Sequence, residues 1–327
     1  MTPAPSSVKP DRILAELSKL WTASAQQEKG KQAGSGTLRA CAMTLIVFVD
    51  DEAGAGNGSL VLGETLIRIM RSHPSRVIVV RLSADGATLE SRVFQQCWTP
   101  FGHRQQICCE QVELTVSLSR LADIPSIVGP LAAPDVPRIV WIRSSRIASA
   151  PDLADVLALG DKMIVDSARQ GAPASADLRV LSNAGFLVAD LAWTRLTKLR
   201  QLLARLLDGR DLNAVRSVTI EFSGAEATAE VRYLQAWLRA SLASAVVDLR
   251  HVDVLAPSML NAIRIDPGVT VRVTGNCAEY EAGSLKQHAA LSESSESDLL
   301  SEELNIMTRD GVFERALQRM TAWTPRS

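Results

Sequence analysis

Charge of one sign is what this chain most plainly lacks. Its 327 residues carry 35 Lys and Arg against 36 Asp and Glu, a formal net charge of -1. A nucleic-acid binder usually shows a basic excess or a basic domain, so no nucleic-acid partner is expected. Long apolar runs are missing as well. The longest candidate, Ala42 to Val49, is strand-sized, whereas a membrane span needs roughly 18 apolar residues. The opening residues Met1 to Ser7 lack the basic and apolar regions of a signal peptide. A cytoplasmic chain without membrane contact is the expectation.

Chemistry-bearing patterns are equally sparse. Five cysteines (Cys41, Cys97, Cys108, Cys109, Cys277) form an odd count with no C-x-x-C pair, which predicts reduced thiols rather than a disulfide scaffold or zinc site. Four histidines (His73, His103, His251, His288) stand without H-x-x-x-H or H-E-x-x-H spacing, so no metal site is expected. There is no G-x-S-x-G elbow and no G-x-x-x-x-G-K-[ST] loop. Gly54 to Ser59 lies where a dinucleotide loop would lie, but the third glycine of G-x-G-x-x-G would fall on Ser59, and Asp50-Asp51-Glu52 would repel phosphate. A plain loop is expected there, with no cofactor.

What is present is ordinary globular composition, 46% apolar and 22% charged, in a chain long enough for about two domains. Asp11 to Gln26 reads as an amphipathic helix and Gly30 to Gly36 as a connector. The continuous apolar run ending at Val49 then suits a strand in a sheet covered on both faces. Leu60 to Arg71 reads as a helix closed by His73-Pro74, and Val77 to Val80 as the next buried strand, which together make a βαβ unit. Strands over Thr88 to Phe94, Gln105 to Ser117, Ile139 to Trp141 and Asp161 to Asp166 complete an α/β domain with a mostly parallel sheet flanked by helices.

Gln170 to Ser175 is rich in breakers and marks the boundary. The expected organisation is an N-terminal helix and connector over 1–36, an α/β domain over 37–172 and a smaller α/β or α+β domain over 173–327. The last would hold a strand at Ser217 to Phe222, a helix from Glu226 to about Leu242, strands between Ala245 and Glu279, and two closing helices with Asp310 as an N-cap. Glu293 to Glu303 is Ser-rich and acidic, with a start expected to be mobile.

Two places could carry function. The first is Asp190 to Arg200, where a strand end passes into a basic helix around Trp193. Apolar residues recur at Leu196, Leu199, Leu202, Leu203, Leu206 and Leu207, while Arg195, Lys198, Arg200 and Arg205 fall largely outside that stripe. Trp beside Arg is a composition favoured at interfaces; a core Trp at a helix start with solvated charges explains it equally well. The second place pairs His73 and Arg76 with Glu110. Glu110 shares a strand face with Cys108, Val112, Leu114 and Val116, so its carboxylate needs a cation, which Arg76 or Arg81 could supply. Such a pair could fix the fold or grip an anion.

His73-Pro74-Ser75-Arg76, Ile107-Cys108-Cys109-Glu110, Asp135-Val136-Pro137 with Trp141, Ile164-Val165-Asp166-Ser167, Asp190 to Leu196 with Arg200, and Glu302-Glu303-Leu304 with Asp310 and Phe313 resemble, in order and spacing, the OpcA family of glucose-6-phosphate dehydrogenase assembly proteins. The resemblance covers about Leu38 to Ala322. It implies a non-catalytic protein that binds glucose-6-phosphate dehydrogenase, promotes its active oligomer and so supports NADPH production in the oxidative pentose phosphate pathway. Trp193, Arg195, Arg200, His73, Arg76 and Glu110 are then the partner-binding candidates. The family pattern has Asn at position 192 and Trp at 199, where this chain has Ala192 and Leu199, which predicts a weakened or repacked interface. The alternative reading is a nucleotide- or sugar-phosphate-binding α/β enzyme or sensor.

Overall fold

The computed structural model describes residues 9–28, 36–50, 56–84, 89–102, 105–147, 150–169, 172–253, 259–291 and 294–321. The chain divides into two compact units, one of Met1–Val165 with Phe186–Val188 and one of Asp166–Gly185 with Ala189–Ser327.

In the first unit, helix α1 (Pro10–Glu28) precedes strands β1 (Thr37–Arg39) and β2 (Met43–Asp50), helix α2 (Gly56–Ser72) and strand β3 (Ser75–Ser83). A hairpin of β4 (Leu89–Trp98) and β5 (Gln106–Ser117) leads through a short helix α3 (Ile124–Val128) to β6 (Arg138–Ile142), α4 (Ala150–Leu157) and β7 (Lys162–Val165). Strand β8 (Leu187–Asp190) joins the same sheet. Among the described residues it has eight strands in the order β1-β5-β3-β2-β6-β7-β8, with β4 also paired to β5. The pairs β2/β3, β2/β6, β3/β5 and β6/β7 are parallel, and β4/β5 is antiparallel. Running outward from β2 in both directions, this is the doubly wound arrangement, with a topological switch point between β2 and β6.

The reason lies in the residues. All of Met43 to Val49 is buried, as a strand covered on both faces requires. Leu62, Leu66, Ile69 and Met70 make the buried stripe of α2, and each such side chain contributes roughly 1.5–3 kcal/mol on burial. Pro74 follows α2 after the single residue His73 and prevents its continuation.

The second unit contains α5 (Ser175–Asn183), α6 (Leu191–Thr194), α7 (Thr197–Leu207), β9 (Ser217–Phe222), α8 (Ala229–Ser241), strands β10 (Val246–His251), β11 (Leu260–Asp266), β12 (Val269–Thr274), β13 (Cys277–Ala282) and β14 (Leu285–Ala290), then α9 (Glu296–Leu304) and α10 (Gly311–Arg319). Its mixed sheet runs β10-β9-β11-β12-β13-β14, parallel only at β10/β9. Asp310 caps α10 as expected, accepting from Val312 N and Phe313 N at 2.9 and 3.0 Å. A capping box of Ser295 and Asp298 starts α9. The predicted mobile start at Glu293 lies outside the described residues.

Two expectations are overturned. Cys97 and Cys108 form a disulfide, with Cα atoms 4.1 Å apart. They stand directly opposite on antiparallel β4 and β5, a register that spacing along the chain does not reveal; Cys41, Cys109 and Cys277 remain thiols. The segment expected to be loop through Ser59 is already helical from Gly56, while Gly54 and Ala55 lie outside the described residues.

Candidate interaction site

The Asp190 to Arg200 segment is built from the end of β8 and two short helices. Asp190 ends the strand and caps α6: its Oδ1 accepts from Ala192 N at 2.9 Å. A break at Arg195 and Leu196 then re-aims the chain into α7, whose Leu199, Leu203 and Leu207 are buried. The leucine spacing read from the sequence is therefore the packing stripe of this helix.

Trp193 is the core residue of the two readings. Its side chain is 2% exposed, because Tyr233 of α8 and Phe313 of α10 close over it with ring centroids at 6.0 and 5.7 Å. The Arg200 guanidinium stacks 3.6 Å from its ring centroid, and its indole N–H donates to Asp310 Oδ2 at 3.1 Å. Asp310 thus caps α10 with one oxygen and holds Trp193 with the other. Ala192 and Leu199 are buried too. The two departures from the family pattern therefore lie in the interior packing of this segment.

Behind the tryptophan lies a sealed polar network. Asp190, fully buried, accepts from Ser167 N at 3.0 Å, from Ser167 Oγ, and from Tyr233 Oη at 2.7 Å. Burial, together with the neighbouring Asp166 carboxylate, pushes its pKa up to about 6 against the pull of those donors. The Tyr233 phenol is raised by burial and by Asp190. Asp166 accepts a bidentate pair from Arg195 at 2.7 and 2.6 Å. Burial works to lower the Arg195 pKa, but Asp166 and Glu230 outweigh it and hold it up. Arg200 goes the other way: burial lowers it to about 10, with Asp310, Glu302 and Glu303 opposing. Thr194 Oγ1 ties α6 to Glu303 of α9 at 2.7 Å.

This network is an organising lock. What it presents outward is the polar side of the break and of α7, where Arg195, Lys198, Gln201 and Arg205 are exposed.

Arg76 and Glu110 come together in the first unit. Arg76 and Glu110 are buried, at 6% and 3% exposure, and Arg76 Nε and Nη2 each lie 2.7 Å from Glu110 Oε2. Arg76 Nη1 donates to Leu131 O at 2.8 Å. Glu110 also receives Arg39 Nη2 at 2.8 Å and the Trp21 indole N–H. The carboxylate on the apolar face has the predicted cation, and in addition it anchors α1 to the sheet through Trp21. Sequence reasoning missed Trp21 and Arg39, which lie 89 and 71 positions from Glu110 along the chain. His73 is half-buried at the end of α2, its pKa lowered by burial.

At the switch point, where an α/β fold commonly takes ligands, Asp50 ends β2. Its carboxylate accepts from Ser144 Oγ, from Ser145 N at 2.8 Å and from Ser145 Oγ at 2.7 Å. Arg146 Nε lies 3.7 Å from the same carboxylate, so Asp50 is tied into the loop after β6; residues 51–55 that follow it lie outside the described residues. Among the described residues no cluster of His, Cys, Asp and Glu has the makings of a metal site, and no helix is long and apolar enough to cross a membrane.

Two family models match in succession: the glucose-6-phosphate dehydrogenase subunit N-terminal domain over residues 67–183 and the C-terminal domain of the same subunit over 187–317. An OpcA protein named for the OxPP cycle in Synechocystis is 29% identical over 144 residues, covering 43% of this chain and 30% of that protein. Its namesake in Nostoc punctiforme is 23% identical over 320 residues, covering 81% of this chain and 68% of that protein. The chain therefore spans less than a third of the first relative's length. An NAD binding oxidoreductase from Klebsiella pneumoniae is similar in fold, with a TM-score of 0.50 at 11% identity over 85% of this chain and 94% of that one.

Proposed function

Because the chain belongs to the OpcA family of glucose-6-phosphate dehydrogenase subunits, we propose that it is a non-catalytic assembly factor that binds glucose-6-phosphate dehydrogenase in the cytoplasm. It activates the enzyme allosterically and so supports NADPH production in the oxidative pentose phosphate pathway. The observation that carries this reading is the match of both family domains, in order, along one chain.

The geometry supports a division of labour within the candidate residues. Arg195 at the break, exposed although its guanidinium is paired with Asp166, and the exposed Lys198 and Arg205 of α7 form the surface that meets the enzyme. Trp193 and Arg200 act from behind, fixing α6 and α7 at one angle through Asp310 and the aromatic cluster. Arg76 and Glu110 position α1 in the same indirect way, and His73 directly follows α2, three residues before Arg76. A rigid patch loses less conformational entropy on association than a mobile one, which favours affinity without added contact area.

Activation requires differential affinity: the chain must bind the active oligomer more tightly than the other states, and each 1.4 kcal/mol of preference shifts that equilibrium about tenfold. Glucose-6-phosphate dehydrogenase activity measured against substrate concentration, with and without this chain, tests the reading. A lower half-saturation or a higher plateau is expected. Unchanged kinetics together with separate elution on size exclusion would reject it.

A further inference from the structure

The second unit carries a concave basic site that the assembly reading leaves unused. A cavity of about 590 Å³ opens between the ends of α5 and α8 and one face of α10, a volume ordinary for a small-molecule pocket. Arg309, Arg315 and Arg319 line it, with Glu314 as the one lining carboxylate. Glu314 is already engaged, 2.6 Å from Arg309 Nη1. Neither Arg315 nor Arg319 has an ion-pair partner among the described residues.

Their placement follows from the helix. Gly311, Arg315 and Arg319 are spaced by four, so they lie on one side of α10, while Phe313, Ala316 and Leu317 face the core. Successive members of that row are separated by about 6 Å along the axis. The absent side chain at Gly311 leaves space beside the Arg315 guanidinium: a Cβ built there would lie 3.5 Å from Arg315 Nη1. Ser182, Asn183 and Gln318 with the apolar Ala240 complete the wall, Gln318 donating to Asn183 Oδ1 at 2.6 Å. Two like charges four apart on a helix repel each other, and guanidinium groups lining one concavity can each meet the oxygens of a phosphate in fork geometry.

We propose that this pocket binds a small organic phosphate, with Arg315 and Arg319 holding the phosphate oxygens and Ser182, Asn183 and Gln318 meeting hydroxyl groups on the remainder. Three cations against one engaged carboxylate select a dianion over a neutral sugar, and the hydroxyl and amide groups beside them suit the hydroxyls of a compact sugar phosphate better than the regularly spaced carboxylates of an acidic peptide.

The test is calorimetric titration of the full chain, without any dehydrogenase, using glucose 6-phosphate, glucose, inorganic phosphate and a pentaglutamate peptide as probes. The site predicts saturable binding of glucose 6-phosphate, none of glucose, and weakening with added salt. Arg315→Gln with Arg319→Gln should weaken it about tenfold or more, with the melting temperature unchanged because both side chains are exposed. No binding at millimolar glucose 6-phosphate, equal binding by the double variant, binding of inorganic phosphate alone, or binding of the peptide in place of the sugar phosphate would each overturn the proposal. Since the enzyme is absent from the experiment, that failure leaves the assembly reading untouched, and a failure of assembly leaves this one untouched.

Discussion

Replacing Trp193 by Ala removes the side chain on which Tyr233, Phe313, Arg200 and Asp310 converge. Truncating a buried aromatic to Ala costs about 3–5 kcal/mol, through lost transfer energy and an unfilled cavity. The upper half of that range is expected here, because Arg200 would be left partly buried without its aromatic face and its Nε already lacks a hydrogen-bond partner in the interior. Trp193→Phe separates the contributions. It keeps a ring but removes the donor to Asp310 Oδ2, for a loss of about 1–2 kcal/mol. Hydrogen exchange in a urea series measures both, since protection of peptides from α6, α7, α8 and α10 reports the opening free energy of this region directly. The Ala variant should lose protection over all four helices together. A loss under about 1 kcal/mol, or one confined to α6, would refute the account of Trp193 as the common anchor.

Other consequences follow from the same geometry. Asp190 titrates near 6 when folded, above the 3.8 of an ordinary Asp, so the folded state binds more protons between those values, and this group's contribution to stability falls as pH rises from about 4 to 6 and is flat beyond. The stability difference between the parent chain and Asp190→Asn should follow that course in urea titrations at each pH; a pH-independent difference would contradict it. Among the described residues Arg76→Met leaves the buried Glu110 with Arg39 and Trp21 as partners and should destabilise the first unit by about 3–5 kcal/mol. Arg76→Met with Glu110→Leu should recover much of that loss, which a double-mutant cycle will measure. Alkylation at pH 8 should label Cys41 and Cys277 but spare Cys109, buried with its thiol raised to about 11. Reduction in denaturant before alkylation should add Cys97 and Cys108 together with Cys109, whereas alkylation in denaturant without reduction should add Cys109 alone; mass spectrometry of the tryptic peptides distinguishes these patterns.

Local patterns made much of the fold readable. The apolar run into Val49, the leucine stripe of α7 and the cap at Asp310 are each fixed by neighbours within a few residues, so spacing alone identified them. Trp193 shows where that stops. It stands among Arg195, Lys198 and Arg200 in the sequence, and its enclosure is completed by Tyr233 and Phe313, 40 and 120 positions later. The need of Glu110 for a cation was legible because a carboxylate on an apolar strand face must be paired; that Trp21 joins the pair was not, since no local rule brings α1 to β5. The Cys97–Cys108 bridge depended on the hairpin register, which a one-residue slip would have destroyed.

The central claim, that the exposed basic side of α7 meets glucose-6-phosphate dehydrogenase, is tested most directly by sedimentation of the native enzyme with the full chain and with its Lys198→Glu, Arg205→Glu variant. The account predicts co-sedimentation with the parent chain and at least about tenfold weaker association with the variant at equal fold stability. Co-sedimentation of both to the same extent would contradict the assigned surface, and no complex with the parent chain at micromolar concentration would contradict the assembly role itself.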